Sequence, residues 1–187
     1  MSGTECAKHT IERLSAAEFP AAAGELAGLL AEVVAGGSSL GFRTPFGRRP
    51  ALDWWLSREP AVASGSLVVW VARGPEGVSG TISLAREHRE NGRHRAEIVK
   101  LMVSPAARGR GLGRRLLATA EEAAAADGIR LLLLDTEADT PADRLYRAAG
   151  WTPYGLVPAY ATDPGGALRD CTFFYKFLPE PPAAAAS

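Results

Sequence analysis

The chain has little cysteine, little histidine and no net charge. Two of its 187 residues are cysteine, three are histidine, and Lys plus Arg and Asp plus Glu each number 21. So few cysteines do not form a disulfide framework, and the histidines have no zinc-type spacing with them. A neutral chain also lacks the basic field with which proteins attract nucleic acids. We therefore expect no disulfide scaffold, no metal and no nucleic-acid partner.

Long apolar segments are also missing. No run of about 18 apolar residues is present, so the sequence predicts no membrane span and no membrane partner. Charged residues and Pro20 interrupt the first apolar stretch, so we identify no signal peptide. The cytoplasm is the expected location. A chain of 187 residues is long enough for one domain with a sizeable core.

Turn residues and hydrophobic periodicity divide the chain into alternating elements. We expect a loose tail at residues 1–8, one domain at residues 9–178 and a disordered Pro/Ala-rich tail at residues 179–187. The predicted strands are Thr10–Leu14, Leu67–Arg73, Val78–Ala85, Ala96–Val103, Ile129–Leu134, Trp151–Val157 and Cys171–Leu178. The predicted helices are Ala16–Val34, Ala51–Ser57, Leu112–Asp127 and Pro141–Ala149, with loops at 38–50 and 158–169. This order predicts an α/β domain on a mixed sheet.

A glycine-rich turn, residues 108–113, separates the strand Ala96–Val103 from the helix that begins at Leu112. Its glycines expose backbone N–H groups at a helix N-terminus, where the helix dipole favours an anion. A dinucleotide-binding turn would need a glycine at Arg114, and the sequence contains no Walker A run. The remaining pattern, R-x-x-G-x-G, favours a phosphate site. An ordinary glycine-rich loop with a helix cap is the alternative.

Two motifs lie in order along the chain. The R-x-x-G-x-G pattern of Arg108, Gly111 and Gly113 resembles the pyrophosphate-binding motif of the GNAT superfamily of N-acetyltransferases, which bind acetyl-coenzyme A (acetyl-CoA). A later block, D-x-x-A-x-x-L-Y-x-x-x-G-W from Asp139 to Trp151, is similar to the family's second motif, N-x-x-A-x-x-L-Y-x-x-x-G-F. Because Asp139 replaces the asparagine of that motif, the contact made by the asparagine side chain is not implied here.

Residues 96–99 look like the segment of lysine-acetylating members of this family in which the glutamate is the general base. Residues 167–176 look like the last strand of a subgroup that acetylates small toxic amines. The tabtoxin-resistance acetyltransferase is its member closest in pattern. Together the matches span about residues 66–178. The resemblance implies a mixed, mostly antiparallel central sheet flanked by helices, and acetyl-CoA as the co-substrate.

The resemblance also implies where acetyl-CoA binds. Main-chain groups at the end of the strand would bind the acetyl group and the pantetheine arm, at Leu101, Met102 and Val103. The turn and the helix start would bind the diphosphate, through Arg108, Gly109, Arg110, Gly111, Leu112, Gly113 and Arg114. The arginines there fit an anion site, and a solvated helix start is their alternative reading.

Transfer to an amine calls for a base, because an alkyl amine of pKa ~10.4 is only about one part in 2,500 neutral at pH 7. Glu97, an acidic residue in an apolar strand, is the predicted base; its alternative is an exposed glutamate near Arg93 and Arg95. The resemblance implies that Tyr146 protonates the leaving thiolate, and the alternative is a packed helix tyrosine. It also implies that Asp135 lies near the amine, with hydrogen bonding in its own loop as the alternative.

Aromatic residues mark the predicted acceptor side. Phe42, Trp54 and Trp55 lie in the N-terminal region that, in this family, walls the acceptor pocket, and Phe46 lies beside them. Aromatic side chains there suit a compact amine or a cation. A place for the tryptophans in the core is the alternative.

Three functional hypotheses follow. The leading one is acetyl transfer from acetyl-CoA to a primary amine of a small molecule, such as an antibiotic or toxin. The second is acetylation of protein lysines or N-termini, and the third is a CoA-binding sensor without turnover. Glu97 and Tyr146 favour an enzyme over a sensor. A homodimer is compatible with all three.

Overall fold

The computed structural model describes residues 9–179. The predicted N-terminal tail and residues 180–187 of the predicted C-terminal tail lie outside this range. The strands are β1 (Thr10–Arg13), β2 (Leu67–Gly74), β3 (Gly77–Arg86), β4 (Arg95–Val103), β5 (Leu131–Glu137), β6 (Thr152–Thr162) and β7 (Leu168–Phe177). The helices are α1 (Phe19–Ala35), α2 (Arg48–Leu56), α3 (Glu59–Ala63), α4 (Leu112–Ala126) and α5 (Pro141–Ala148).

The strands form one seven-stranded sheet in the order β1-β2-β3-β4-β5-β7-β6. Neighbouring strands are antiparallel except β4 and β5, which are parallel. The connection between those two strands contains α4, as a parallel crossover requires. The predicted mixed, mostly antiparallel sheet flanked by helices is confirmed.

Both faces of the sheet are covered, and β2 shows why. Val68 and Trp70 pack in the cluster that contains α4 and α5, whereas Val69 and Val71 pack in the cluster that contains α1 and α2. Successive side chains of a strand point to opposite faces, so a strand covered on both sides is apolar at consecutive positions. We call these surfaces of the sheet the α4 face and the α1 face.

The centre of the sheet is open between β4 and β5. These strands pair only through residues 95–97 of β4 and 131–133 of β5, so beyond Glu97 the β4 edge on that side has no strand partner among residues 9–179. On its other edge, Val99 and Met102 of β4 pair with Ser83 and Thr81 of β3, so β4 carries one extra residue. This is a β-bulge, and such bulges occur next to active sites because they redirect side chains.

The predicted loop at residues 158–169 is wrong, because β6 continues to Thr162 and β7 already begins at Leu168. Pro158, the first residue of the predicted loop, lies within β6. Since β6 is an edge strand, a proline there removes no ladder hydrogen bond from a second neighbour. Two register shifts between β6 and β7 accommodate the irregular residues. The hairpin therefore extends further than its sequence indicates.

The helices near residue 50 also differ from the prediction. α2 begins at Arg48 instead of Ala51, and the short α3 was not predicted. Pro50 and Pro60 lie in the first turns of these helices, where a backbone N–H has no intrahelical partner. A proline at such a position does not break a helix.

The hairpin of β6 and β7 carries many exposed apolar side chains. Every residue of β6 from Thr152 to Ala161 is exposed. The large exposed apolar residues of the two strands are Tyr154, Leu156, Val157, Tyr160, Leu168 and Phe177. One edge of β6 is unpaired within the described residues. This hairpin is the most apolar exposed part of the described chain.

Candidate active site

Two carboxylates lie on the same face of the sheet at the opening between β4 and β5. Ala96 and Ile98 pack in the core of the α4 face, so Glu97 between them points to the α1 face. In β5, Leu132 and Leu134 likewise belong to the α4 face, which places Asp135 on the α1 face. Both side chains are solvent-exposed, as an acceptor amine would require.

The environment of Glu97 suits a base. Protein atoms around the carboxylate raise its pKa by desolvation, although solvent still reaches the side chain. The negative charge of Asp135 raises the pKa further, and the positive charge of Lys100 opposes this rise. A carboxylate with a raised pKa holds a proton more strongly, which makes it a better general base than an ordinary glutamate.

Asp135 has a partner that the sequence does not reveal. The Sγ atom of Cys171 on β7 lies 3.3 Å from Asp135 Oδ2 and 3.1 Å from the Thr136 carbonyl oxygen. Burial and the Asp135 carboxylate raise the pKa of the Cys171 thiol to about 12. The thiol therefore stays neutral and donates. Cys171 is buried, as predicted for a core residue, but it also orients Asp135.

Tyr146 lies on the opposite face. Its ring packs in the α4-face core, with ring centroids 5.9 Å from Trp151 and 6.0 Å from Phe174. Burial, and then the charge of Asp135, raise the pKa of its hydroxyl. The ring is therefore packed in the core, and the Asp135 carboxylate acts electrostatically on its hydroxyl. Tyr146 keeps its proton at any physiological pH and is available as a hydrogen-bond donor.

The glycine-rich turn has the backbone of an anion site. Gly109 has φ of 74° and Gly111 has φ of 72°, in the left-handed region that favours glycine. Gly111 is the N-cap of α4. Among the described residues, no protein group accepts a hydrogen bond from the backbone N–H groups of residues 109–114. These amides lie at the positive end of the α4 dipole, so the turn fits a diphosphate.

The arginines of the turn have different partners. Arg108 donates from Nε to the Val103 carbonyl oxygen at 3.1 Å, which ties the turn to the end of β4. Arg115 donates to the His9 carbonyl oxygen at 2.8 Å. Arg110 and Arg114 are exposed and make no hydrogen bond or ion pair with any described residue. These last two arginines are therefore available for phosphate groups.

The predicted main-chain site lies at the free part of β4. Leu101 lies within the bulge and Met102 and Val103 follow it, and all three are beyond the last β4–β5 pair. The Met102 side chain is buried, and Leu101 and Val103 are half-buried against the α4-face core. Leu112 is also buried, so it offers its backbone N–H and not its side chain. An extended pantetheine arm can bind an unpaired strand edge as a peptide strand does.

The predicted acceptor aromatics divide into two groups. Phe42 and Trp54 are half-buried and meet edge to face at 5.5 Å, and Phe42 stacks on Phe46 at 4.3 Å. Trp55 has an exposed fraction of 0% and packs against Phe19. Its core reading therefore fits the structure, and we do not include Trp55 in the acceptor site proposed below.

Lys100 is the site residue that sequence reasoning missed. Its Nζ donates to the Leu40 carbonyl oxygen at 2.9 Å and lies 5.5 Å from the Phe42 ring centroid and 5.3 Å from that of Trp54. Its φ of 55° is uncommon for a residue other than glycine and belongs to the bulge of β4. Burial lowers its pKa, whereas Asp135 and Glu97 oppose this change. In the sequence, the feature that could have identified Lys100 as a site residue is that it is a single lysine among apolar strand residues.

Within residues 9–179, no group of three His, Cys, Asp or Glu side chains is arranged to hold a metal ion. In the same part of the chain, no helix combines the length and the apolar character that crossing a membrane needs.

Comparison with known proteins identifies the family. Residues 38–151, more than half of the chain, match the acetyltransferase (GNAT) family. The sheet with its opening at β4 and β5, together with the amide-lined turn, is consistent with this match. The chain therefore belongs to the GNAT family of acetyl-CoA-dependent acyltransferases.

Solved structures support the same fold. A GNAT phosphinothricin acetyltransferase from Sinorhizobium meliloti, in complex with acetyl-CoA, has a TM-score of 0.74 and 23% identity, covering 96% of this chain and 93% of its own. The structure of yncA from Salmonella typhimurium with its cofactor acetyl-CoA has a TM-score of 0.71 and 24% identity, covering 95% and 99%. The ribosomal-protein-alanine N-acetyltransferase of Brucella melitensis has a TM-score of 0.69 and 26% identity, covering 90% and 99%.

Proposed function

We propose that the protein transfers an acetyl group from acetyl-CoA to the primary amine of a small molecule, by direct attack of the amine on the thioester. One observation carries this proposal: Glu97, whose pKa is raised, faces the opening between β4 and β5. The same strand leads to a turn whose backbone amides have no partner among the described residues. The proposed base and the proposed phosphate site thus belong to one continuous segment of the chain, β4 and the turn that follows it.

Glu97 takes the proton from the incoming ammonium, directly or through one water. Asp135, on the next strand and the same face, attracts the ammonium and keeps it beside Glu97. The deficit of neutral amine at pH 7 corresponds to roughly 4.6 kcal/mol. A base at this position assists the reaction by accepting the proton that the amine must lose.

The opposite face completes the site. Acetyl-CoA supplies an activated acyl group, and backbone N–H groups among Leu101, Met102 and Val103 donate to its carbonyl oxygen. Tyr146, with a raised pKa, donates a hydrogen bond to the sulfur as negative charge develops there. Because a phenol of high pKa gives up its proton reluctantly, the thiolate takes its proton finally from solvent or from the acceptor.

The turn holds the other end of acetyl-CoA. The backbone amides of Gly109, Gly111 and Gly113 and their neighbours would bind the diphosphate, with Arg110 and Arg114 adding charge. Arg108 contributes by fixing the turn to Val103. The amides have no protein acceptor among the described residues, so they fit a ligand that brings its own oxygens.

The acceptor side supports a small substrate. The Thr44 backbone N–H and hydroxyl both donate to the Pro164 carbonyl oxygen, at 2.9 and 2.8 Å. The loop of residues 38–47 thus connects Lys100 of β4 to the tip of the β6–β7 hairpin, across the face that carries Glu97 and Asp135. We infer that this bridge limits the size of the acceptor. The role that we propose is detoxification of an antibiotic or toxin. One structural relative is named as a phosphinothricin acetyltransferase.

A mass-shift assay tests this proposal. The purified protein is incubated with acetyl-CoA and either a panel of small primary amines or a panel of peptides with free N-termini or lysines. We expect a gain of one acetyl group on small amines only. Acetylated peptides alone would replace the proposal with protein acetylation, the activity named for the Brucella relative. Binding of acetyl-CoA without any product would indicate a sensor.

We propose the cytoplasm as the location, because acetyl-CoA is available there.

We also propose that the protein forms a homodimer, and the exposed apolar side chains of the β6–β7 hairpin support this proposal. The β6 edge, which no other described strand covers, can pair with its own copy in the antiparallel direction. Light scattering of the purified chain gives the oligomeric state directly, and a monomer at all concentrations would contradict the dimer.

A further inference from the structure

The aromatic residues of the acceptor side already hold a cation. We call the rings of Phe42 and Trp54, with the Leu40 carbonyl oxygen, the aromatic box. The Nζ of Lys100 lies 5.5 and 5.3 Å from the two ring centroids and donates to Leu40 at 2.9 Å. Both ring distances are within the range of a cation–π contact. The box is thus filled by a side chain of the protein itself.

The β4 bulge brings Lys100 to the box. Val99 and Met102 pack on the α1 face, and the extra residue of the bulge lies between them. Lys100 has φ of 55°, so its side chain leaves the regular alternation of the strand. The lysine thereby joins the same face as Glu97 and Asp135. A regular strand would not place all three side chains on this face.

The charges on this face are arranged in two parts. Glu97 and Asp135 are negative and lie at the opening between β4 and β5. Lys100 is positive and lies in the box, and the exposed Arg58 guanidinium stands 5.2 Å from the Trp54 ring centroid. An acceptor with one ammonium meets two carboxylates. A second ammonium on the same acceptor meets the positive charges of Lys100 and Arg58.

We propose that Lys100 determines acceptor specificity: its ammonium fills the aromatic box as an internal cation and excludes a second cationic group of the acceptor. This inference rests on the proposed function, since it takes this face as the acceptor site. The enzyme then accepts monoamines and discriminates against diamines and polyamines. Like charges brought together in a partly desolvated site repel strongly, and proteins use such repulsion for specificity.

A binding experiment tests the box without any turnover. The probe is tetramethylammonium, which has no N–H and cannot be acetylated, and the measurement is NMR titration of the full chain. We expect no saturable binding to the wild type. The Lys100→Met variant removes the charge and ends one atom short of the Nζ position that fills the box, so it should admit the probe. The double variant Lys100→Met, Trp54→Leu removes a box wall and should lose this binding.

A kinetic experiment tests the specificity. Butylamine and 1,4-diaminobutane have the same chain length and differ by one ammonium. The wild type should show the higher kcat/KM for butylamine. In Lys100→Met this preference should fall at least tenfold, through a lower KM for the diamine. Lys100→Arg keeps the charge and should keep the preference.

The outcomes separate the two proposals. If Lys100→Met neither binds tetramethylammonium nor changes the amine preference, Lys100 has no role in specificity. Probe binding with an unchanged preference also overturns the inference, because the box would then lie off the acceptor path. If the wild type acetylates neither amine but the variant binds the probe, the box stands and the proposed function fails. Lys100→Gln serves in place of Lys100→Met if the latter does not fold.

Discussion

The Sγ atom of Cys171 lies 3.3 Å from Asp135 Oδ2, so a buried thiol of β7 contacts a carboxylate of the candidate active site. The two residues are separated by most of the C-terminal third of the chain and meet only because β5 and β7 are neighbours. The thiol hydrogen is shared between the carboxylate and the Thr136 carbonyl oxygen, 3.1 Å away. Asp135 is therefore positioned by a residue that never contacts substrate in the proposed mechanism.

Substituting Cys171→Ala should change how stability depends on pH. The pKa of this thiol is raised from the ordinary 9.0 to about 12, so its contribution is complete below pH 9. Above pH 9 the unfolded chain loses the thiol proton first, and the contribution falls as the pH approaches 12. Urea unfolding at pH 8 and pH 11 should show the free-energy difference between wild type and variant shrinking. A constant difference would mean that the thiol does not titrate this way.

Substituting Glu97→Gln should remove the base and leave cofactor binding intact. We expect kcat to fall about 100-fold or more, since general-base catalysis typically contributes that much. The dissociation constant for CoA, measured by calorimetry, should stay within a few-fold because the turn at residues 109–114 is untouched. Equal loss of activity and CoA affinity would instead identify Glu97 as a structural residue.

Substituting Asp135→Asn should shift the pH profile. The Asp135 charge raises the pKa of Glu97, so its removal lowers that pKa. The base must be ionised to act, and the acidic limb of kcat/KM should therefore move to lower pH. The measurement is kcat/KM between pH 5 and 8 for both proteins. A limb that stays in place or moves to higher pH would contradict the coupling of the two carboxylates.

Alanine at Gly111 and at Gly113 should have different effects. Gly111 has φ of 72°, and a side chain in that conformation costs about 1 to 2 kcal/mol. At Gly113 an added Cβ would lie 3.5 Å from Leu145, an ordinary contact, so Gly113→Ala is the matched control. We expect a lower free energy of unfolding for Gly111→Ala but not for Gly113→Ala, measured by urea unfolding.

The variant Gly111→Asp adds a negative charge at the turn and should therefore abolish CoA binding. If this variant bound CoA normally, the phosphate site would have to lie elsewhere.

Local patterns were enough for one part of the site. Gly109 and Gly111 adopt left-handed backbone because the turn requires it, and a sequence reader sees both the glycines and the helix that follows. The alternation of β4 also places Glu97 opposite Ala96 and Ile98. Such features depend on neighbours within a few residues.

Other features depend on distant segments. The contact between Cys171 and Asp135 needs the β5–β7 pairing, and the Lys100 box needs a loop 60 residues upstream. The bulge at Lys100 contains no glycine, so the sequence gives no local indication of it. The extent of β6 follows from its place at the sheet edge, which makes Pro158 acceptable there. None of these relations is present in a local window of sequence.

The short ladder between β4 and β5 has a consequence for the stability of the whole domain. Only three residue pairs connect the N-terminal and C-terminal halves of the sheet at this point. A nucleotide thioester lying along the free edge would act as an added strand and would join both halves. Without the ligand, the two halves of the sheet are held together less strongly. The melting temperature of the protein should therefore rise with the concentration of the bound molecule, by mass action.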